Sequence, residues 1–151
     1  MVTLLNQSFN FLLPKNDEIE GWILNDQESL LHFIAGYADA EGSYFVRKPN
    51  YKYAKSGWGI FEIASYDKNI LSMTSQELSS IGIDHAFYQV KNRIYKKEMW
   101  RITINKKQAL WNFIKIIEPY HRHQKRLRNL TEVKENLILR NSLPYCRQIT
   151  L

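Results

Sequence analysis

Apolar positions along this chain switch repeatedly between two periods. From residue 26 to 41, Leu30, Leu31, Ile34 and Tyr37 fall three or four apart and share one face of a predicted helix, Asp26 to Glu41. Asn25, with Glu28 three residues on, has the form of a capping box at its start. The period then drops to two. Residues 43–48 and 58–65 read as strands separated by a turn near Ser56-Gly57. Phe61 and Ile63 point one way, Glu62 the other. Helical spacing returns at Lys68–Ser80, with Asp67 as its cap, Ile70, Leu71, Met73 and Leu78 as core positions, and Gly82 marking its end. A second strand pair follows over 85–90 and 98–105, turning near Asn92-Arg93. There Trp100, Ile102 and Ile104 alternate with Met99, Arg101 and Thr103. A third helix, Lys107–Ile117, carries Leu110, Trp111, Phe113, Ile114 and Ile117 and stops at Pro119. A basic helix spans about 123–139.

Helix-strand-strand occurs twice, then helices. This order predicts an α+β domain with helices on one face of a four-stranded antiparallel sheet. The other face is free to meet a partner. Arg47, Trp58, Glu62, Gln89, Lys91, Arg101 and Thr103 are the candidate outward residues. The organisation reads as an N-terminal extension (1–24), one domain (25–141) and a C-terminal tail (142–151).

Charge sharpens this picture. Residues 1–41 carry one base and seven acids, whereas residues 86–141 carry fourteen bases and four acids. The total of +6 therefore hides a strongly basic C-terminal part, which points to a polyanion and, with aromatics interleaved, to nucleic acid. Cys146 is the only cysteine, which excludes an internal disulfide and a cysteine-based zinc site. No apolar run approaches the roughly 20 residues of a membrane span. Residues 2–13 are too polar for a good secretory signal, so an intracellular, non-secreted protein is expected.

The chemistry concentrates at the end of the first helix. Gly36 and Ala40 lie on one helical face, so a second helix can approach closely there, bringing carboxylates at the two helix tips together. Paired carboxylates beside a phosphate backbone need divalent cations between them, and hard oxygen ligands favour Mg²⁺. A metal can acidify a bound water and stabilise a leaving oxygen, which fits phosphodiester hydrolysis.

Ile34-Ala35-Gly36-Tyr37-Ala38-Asp39-Ala40-Glu41-Gly42 resembles the nine-residue motif of the LAGLIDADG homing endonucleases. Ala35, Gly36, Asp39, Ala40 and Gly42 match it, Glu41 replaces its last Asp, and Tyr37 and Ala38 depart from the usual apolar pair. The order of elements over about 25–140 is similar to that family too. The resemblance implies an αββαββα fold with a DNA-binding sheet. It also implies Mg²⁺ held by the Glu41 side chain and the Ala40 carbonyl. Because the motif occurs once, it implies a homodimer with Ala35, Gly36, Asp39 and Ala40 at the interface and two copies of Glu41 forming the centre. Asp39 supports the helix end or the interface rather than a metal.

In such relatives a basic residue approaches the scissile phosphates. Within His121-Arg122-His123-Gln124-Lys125-Arg126, Lys125 is the best match and Arg122 the second. His121 and His123 read as exposed residues or phosphate donors rather than a metal pair. Ser65 falls where the family often has a glutamine that orders water. Arg47, Lys48, Gln89, Lys91, Arg101 and Arg122 are candidate DNA contacts, whereas Trp100, Trp111 and Phe113 belong in the core.

The implied function is site-specific cleavage of both strands of a long, roughly palindromic DNA duplex, encoded within an intron or other mobile element. Two rivals stand beside it. One is an RNA-splicing maturase bound to intron RNA, or a non-cleaving nucleic-acid-binding relative. The other is a basic interaction domain whose Gly36-x-x-x-Ala40 helix serves dimerisation alone.

Overall fold

A computed structural model describes residues 18–48, 56–90, 98–143 and 148–150. Helix α1 (Gly21–Leu24) leads into α2 (Gln27–Glu41), β1 (Gly42–Arg47) and β2 (Trp58–Ser65). Then come α3 (Lys68–Ser80), β3 (Ala86–Val90), β4 (Met99–Ile104), α4 (Lys107–Ile117), a 3₁₀ turn (Glu118–Tyr120) and α5 (Gln124–Ser142). The four strands form one antiparallel sheet in the order β1-β2-β4-β3. The expected α+β architecture is present, and β2, α3 and α4 have the predicted bounds.

Register explains the core. Tyr44 pairs with Phe61, Phe61 with Ile104, and Ile63 with Ile102, which places these apolar side chains on one face. That face packs on Leu71 and Leu78 of α3, Leu110, Phe113 and Ile114 of α4, and Leu130, Val133 and Leu137 of α5. Fully burying each such side chain stabilises the fold by about 1.5–3 kcal/mol. Ile149 joins the same core, and Ile19 is buried as well.

Three local devices fix the frame. Asp26 caps α2 by accepting the Ser29 N–H at 2.8 Å, one residue later than the expected Asn25. Asn25 is taken up in closing α1, where its N–H donates to the Gly21 carbonyl. At the other end of the layer, Gly82 takes φ +77° and closes α3. Its N–H reaches the Ser79 carbonyl and the Ile83 N–H the Leu78 carbonyl, so the last carbonyls are satisfied. Asp67 does not cap α3 as expected: its side chain makes no cap bond, and its N–H donates to the Ser65 hydroxyl.

The third device joins α5 to the sheet. Buried Asn136 accepts the Gly59 N–H at 3.1 Å and donates to the Gly57 carbonyl at 3.3 Å. A β-carbon at Gly59 would stand 2.7 Å from Val133 Cγ1, so the helix lies on the strand only because residue 59 has no side chain. Gly59→Ala is expected to destabilise the fold by about 1–3 kcal/mol. A shift of that size in the urea unfolding midpoint checks this; an unchanged midpoint contradicts the close packing.

Candidate active site and nucleic-acid interface

Helix α2 has two unlike faces. Ala35 and Ala38 are fully buried against the rest of the chain. Gly36, Ala40 and Glu41 are exposed. A β-carbon built at Gly36 meets nothing within 4 Å. The small-residue stripe is thus open along Gly36 and Ala40. Ala35, expected at the interface, instead fills this chain's own core, because it sits one position round the helix from Gly36.

Glu41 is the last residue of α2, and β1 begins with the next residue. No linker separates them because Gly42 allows the turn. Its N–H donates back to the Ala38 carbonyl, and a β-carbon there would come within 2.5 Å of that same oxygen. The carboxylate of Glu41 therefore stands at a rigid helix-to-strand corner.

Asp39, expected at the interface, is engaged with this chain's own approach to α5. Its Oδ1 accepts from His121 Nδ1 at 2.6 Å, and its Oδ2 accepts the Arg122 and His123 N–H groups at 2.8 and 3.1 Å. His121, expected to be exposed, has a fully buried side chain. Its Nε2 lies 2.7 Å from the Tyr44 hydroxyl. A carboxylate only accepts, so Nδ1 carries a proton toward Asp39, and Nε2 shares a second hydrogen bond with the Tyr44 hydroxyl. Burial pushes the Asp39 pKa up, but the bonds from Arg122, His121 and His123 outweigh it and hold it below 3.8. Burial, then the Asp39 carboxylate, raises the Tyr44 phenol well above 10.

The Asp39 shift has a signed consequence. A carboxylate whose native pKa is depressed adds stability above about 3.8 and loses it as pH falls through the lower native value. Wild type is therefore expected to lose stability relative to Asp39→Asn as pH falls below about 5 and on through the depressed native pKa. Urea midpoints across that window check the convergence; parallel curves contradict it.

Basic side chains gather where α5 begins. Arg126 donates from Nε to the Asp39 carbonyl at 3.2 Å and from Nη2 to the Ala40 carbonyl at 3.4 Å. Arg122 turns its guanidinium back onto the Pro119 and His121 carbonyls at 2.8 and 3.1 Å. Lys125 is exposed on the first turn of α5. Arg126 is thus the α5 side chain that touches the motif, one position beyond the predicted Lys125. Its neighbours signalled a basic cluster, but only the helix register decides which base faces α2.

On the face of the sheet opposite the Tyr44–Phe61 core, Arg47 pairs across from Trp58 and Glu62 from Thr103. Arg47 and Lys48 are exposed and Trp58 is half-buried. Glu62 holds Arg101 in an ion pair at 3.5 Å. Thr103 is buried there, donating to Glu62 at 3.4 Å and lying 3.3 Å from the Tyr88 hydroxyl. Arg101 Nε has no hydrogen-bond partner. Gln89 does not lie on this face as expected. It pairs with Trp100, which stacks on Phe87 at 5.2 Å and carries Lys68 over its ring, so this row faces the helices. Tyr88 takes the outward place beside Arg101 instead. Lys91 and the Asn92-Arg93 turn lie outside the described residues.

The donors fit a hard divalent cation in kind. Glu41 offers an exposed carboxylate and Ala40 a backbone carbonyl that already attracts a cationic side chain. Among the described residues no three Asp, Glu, His or Cys side chains gather to hold a metal. A cation on Glu41 would complete its shell with carbonyl, water, phosphate or a second chain's oxygens. Ser65, at the place of the water-ordering residue, accepts the Asp67 N–H.

A family model described as LAGLIDADG endonuclease matches residues 34–137, which includes the motif, the sheet and most of α5. The chain belongs to the LAGLIDADG endonuclease family. Solved structures have the same fold at low identity. The group I intron-encoded homing endonuclease I-CeuI, complexed with DNA, aligns over 91% of this chain and 70% of its own, with TM-score 0.59 and 15% identity. I-SmaMI, bound to uncleaved DNA with calcium, aligns over 72% of this chain and 36% of its own, with TM-score 0.57 and 21% identity. I-CvuI, in complex with a DNA target in the presence of Mg, aligns over 71% of this chain, with TM-score 0.53 and 13% identity. This chain spans 65% of the length of I-CvuI. A search of curated proteins finds no significant match. No helix among the described residues is long and apolar enough to cross a membrane.

Proposed function

We propose that this LAGLIDADG protein acts as a homodimeric, Mg²⁺-dependent homing endonuclease that hydrolyses both strands of one long, pseudo-palindromic DNA site. The observation that carries this reading is the exposed Gly36/Ala40 stripe ending in the exposed carboxylate of Glu41. Two such stripes packed about a two-fold axis bring two Glu41 side chains together. The Ala40 carbonyls and Glu41 carboxylates would hold the metal. When bound, the metal supplies an acidified water and charge stabilisation for the leaving oxygen. Lys125, exposed on the first turn of α5, would bear on the phosphate as negative charge builds.

Each sheet would read one half of the duplex. Arg101 offers the donor geometry for a guanine edge, with Glu62 fixing its guanidinium. Arg47, Lys48 and Arg122 supply phosphate contacts that set position rather than sequence. DNA complexes of I-CeuI, I-CvuI and I-SmaMI on the same fold support a duplex partner.

Selection of cut molecules from a random duplex library tests the reading. With Mg²⁺ the protein is expected to enrich one long site with staggered ends and two related halves. Enrichment of bound but uncut DNA in every divalent metal would sink it.

A further inference from the structure

We propose that the buried Asp39–His121–Tyr44 chain is a positioning device for the reaction, setting the reach between Ala40 and Glu41 on α2 and Lys125 on α5. This rests on the reading of Glu41 as the metal-binding carboxylate. Neither Glu41 nor Lys125 is held by burial, since both are exposed. Their separation is therefore set by the backbone ends that carry them. Those ends belong to segments more than 80 residues apart in sequence, joined through one carboxylate.

Asp39 precedes Glu41 by two residues, and Tyr44 follows it by three. His121 bridges them from the connector into α5, so the corner bearing Glu41 is gripped on both sides by one imidazole. The same carboxylate takes two N–H groups at the entrance of α5, whose own N-cap residue His123 makes no side-chain cap bond. Asp39 thus anchors the entrance of α5 from another helix, holding the N–H groups of the N-cap residue and of the residue before it. Arg126 adds a return strap to the Asp39 and Ala40 carbonyls.

An apolar trio could fill this space, but apolar contacts tolerate sliding. A satisfied polar network in a low-dielectric interior fixes one arrangement, because each displaced partner leaves a buried group unpaired. Such fixing matters at a reaction centre, where a displacement of about 1 Å can cost about a hundredfold in rate.

Three variants test the proposal, each assayed on the selected duplex below its unfolding temperature. Tyr44→Phe removes one hydroxyl and keeps the ring against Phe61 at 4.6 Å. His121→Asn keeps an N–H near the position of Nδ1, and His121→Ala removes both ring nitrogens. The readouts are the DNA dissociation constant in Ca²⁺, the single-turnover cleavage rate in Mg²⁺, and the thermal midpoint. Tyr44→Phe is expected to cleave about tenfold to a hundredfold more slowly, with its dissociation constant within about twofold of wild type. His121→Asn is expected to recover at least about tenfold in rate over His121→Ala.

If Tyr44→Phe lowers the midpoint yet cleaves at the wild-type rate, the chain is structural only and the proposal fails. Equal rates for His121→Asn and His121→Ala also overturn it. If wild type cuts nothing, or Glu41→Gln cuts like wild type, the reading of Glu41 falls and the proposal with it. A dead Glu41→Gln beside a fully active Tyr44→Phe removes the positioning role alone.

Discussion

Glu41→Gln is expected to slow cleavage by about a thousandfold or more while leaving DNA affinity within a few-fold of wild type. The amide keeps the size and place of the side chain but not its charge. Glu41 is exposed at the tip of α2 and packs no core, so folding should not suffer. Removing two like charges from a dimer centre should even strengthen DNA binding without metal, since the phosphates then meet less repulsion. The check is a pair of measurements on one protein: single-turnover rate in Mg²⁺, and affinity in EDTA. Loss of both would assign Glu41 to folding or docking, and loss of neither would move the reaction centre elsewhere.

Gly36→Leu separates the single chain from the dimer. Within the chain a β-carbon at Gly36 meets nothing, and residue 36 lies mid-helix. Leucine should therefore stabilise the helix by about 0.5–1 kcal/mol over glycine. At a two-fold axis the same side chain holds the helices apart. We expect an equal or higher unfolding midpoint for the isolated chain, a monomer in sedimentation, and affinity for the full site weakened by about a hundredfold or more as two half-sites cease to act together. Cleavage should be lost with it. A dimer that survives this substitution, or a chain that unfolds because of it, would show that the open stripe is not the interface.

Much of the fold was legible in the chain because its signals are local. Helical spacing in Ile70–Leu78 and Leu110–Ile117, and alternation at Phe61 and Ile63, each lie within one element, and the structure follows them. Errors arose where a neighbour outcompeted the local signal. Asn25 has the form of a cap, but closing α1 uses it first. Gln89 was expected on the open face, but the Phe87–Trp100 stack shares its register and puts it on the helix side of the sheet, where it stays exposed.

The candidate site was half legible. Gly36, Ala40 and Glu41 carry their meaning in their spacing along one helix. Asp39, Tyr44, His121 and Arg126 do not. Their partners are long-range in sequence, and nothing periodic marks a histidine that will be buried between a carboxylate and a phenol. His121 and His123 look equivalent two residues apart; only the fold buries one and leaves the other at the mouth of α5.

Linearisation of a supercoiled plasmid carrying the selected site, followed as wild-type protein is titrated, tests the central claim most directly. Two Glu41 side chains in one centre predict linear product that needs added Mg²⁺, disappears in EDTA, and saturates at two chains per site. A plasmid that stays supercoiled in every divalent metal, or that is linearised equally well in EDTA or by one chain per site, would contradict the account.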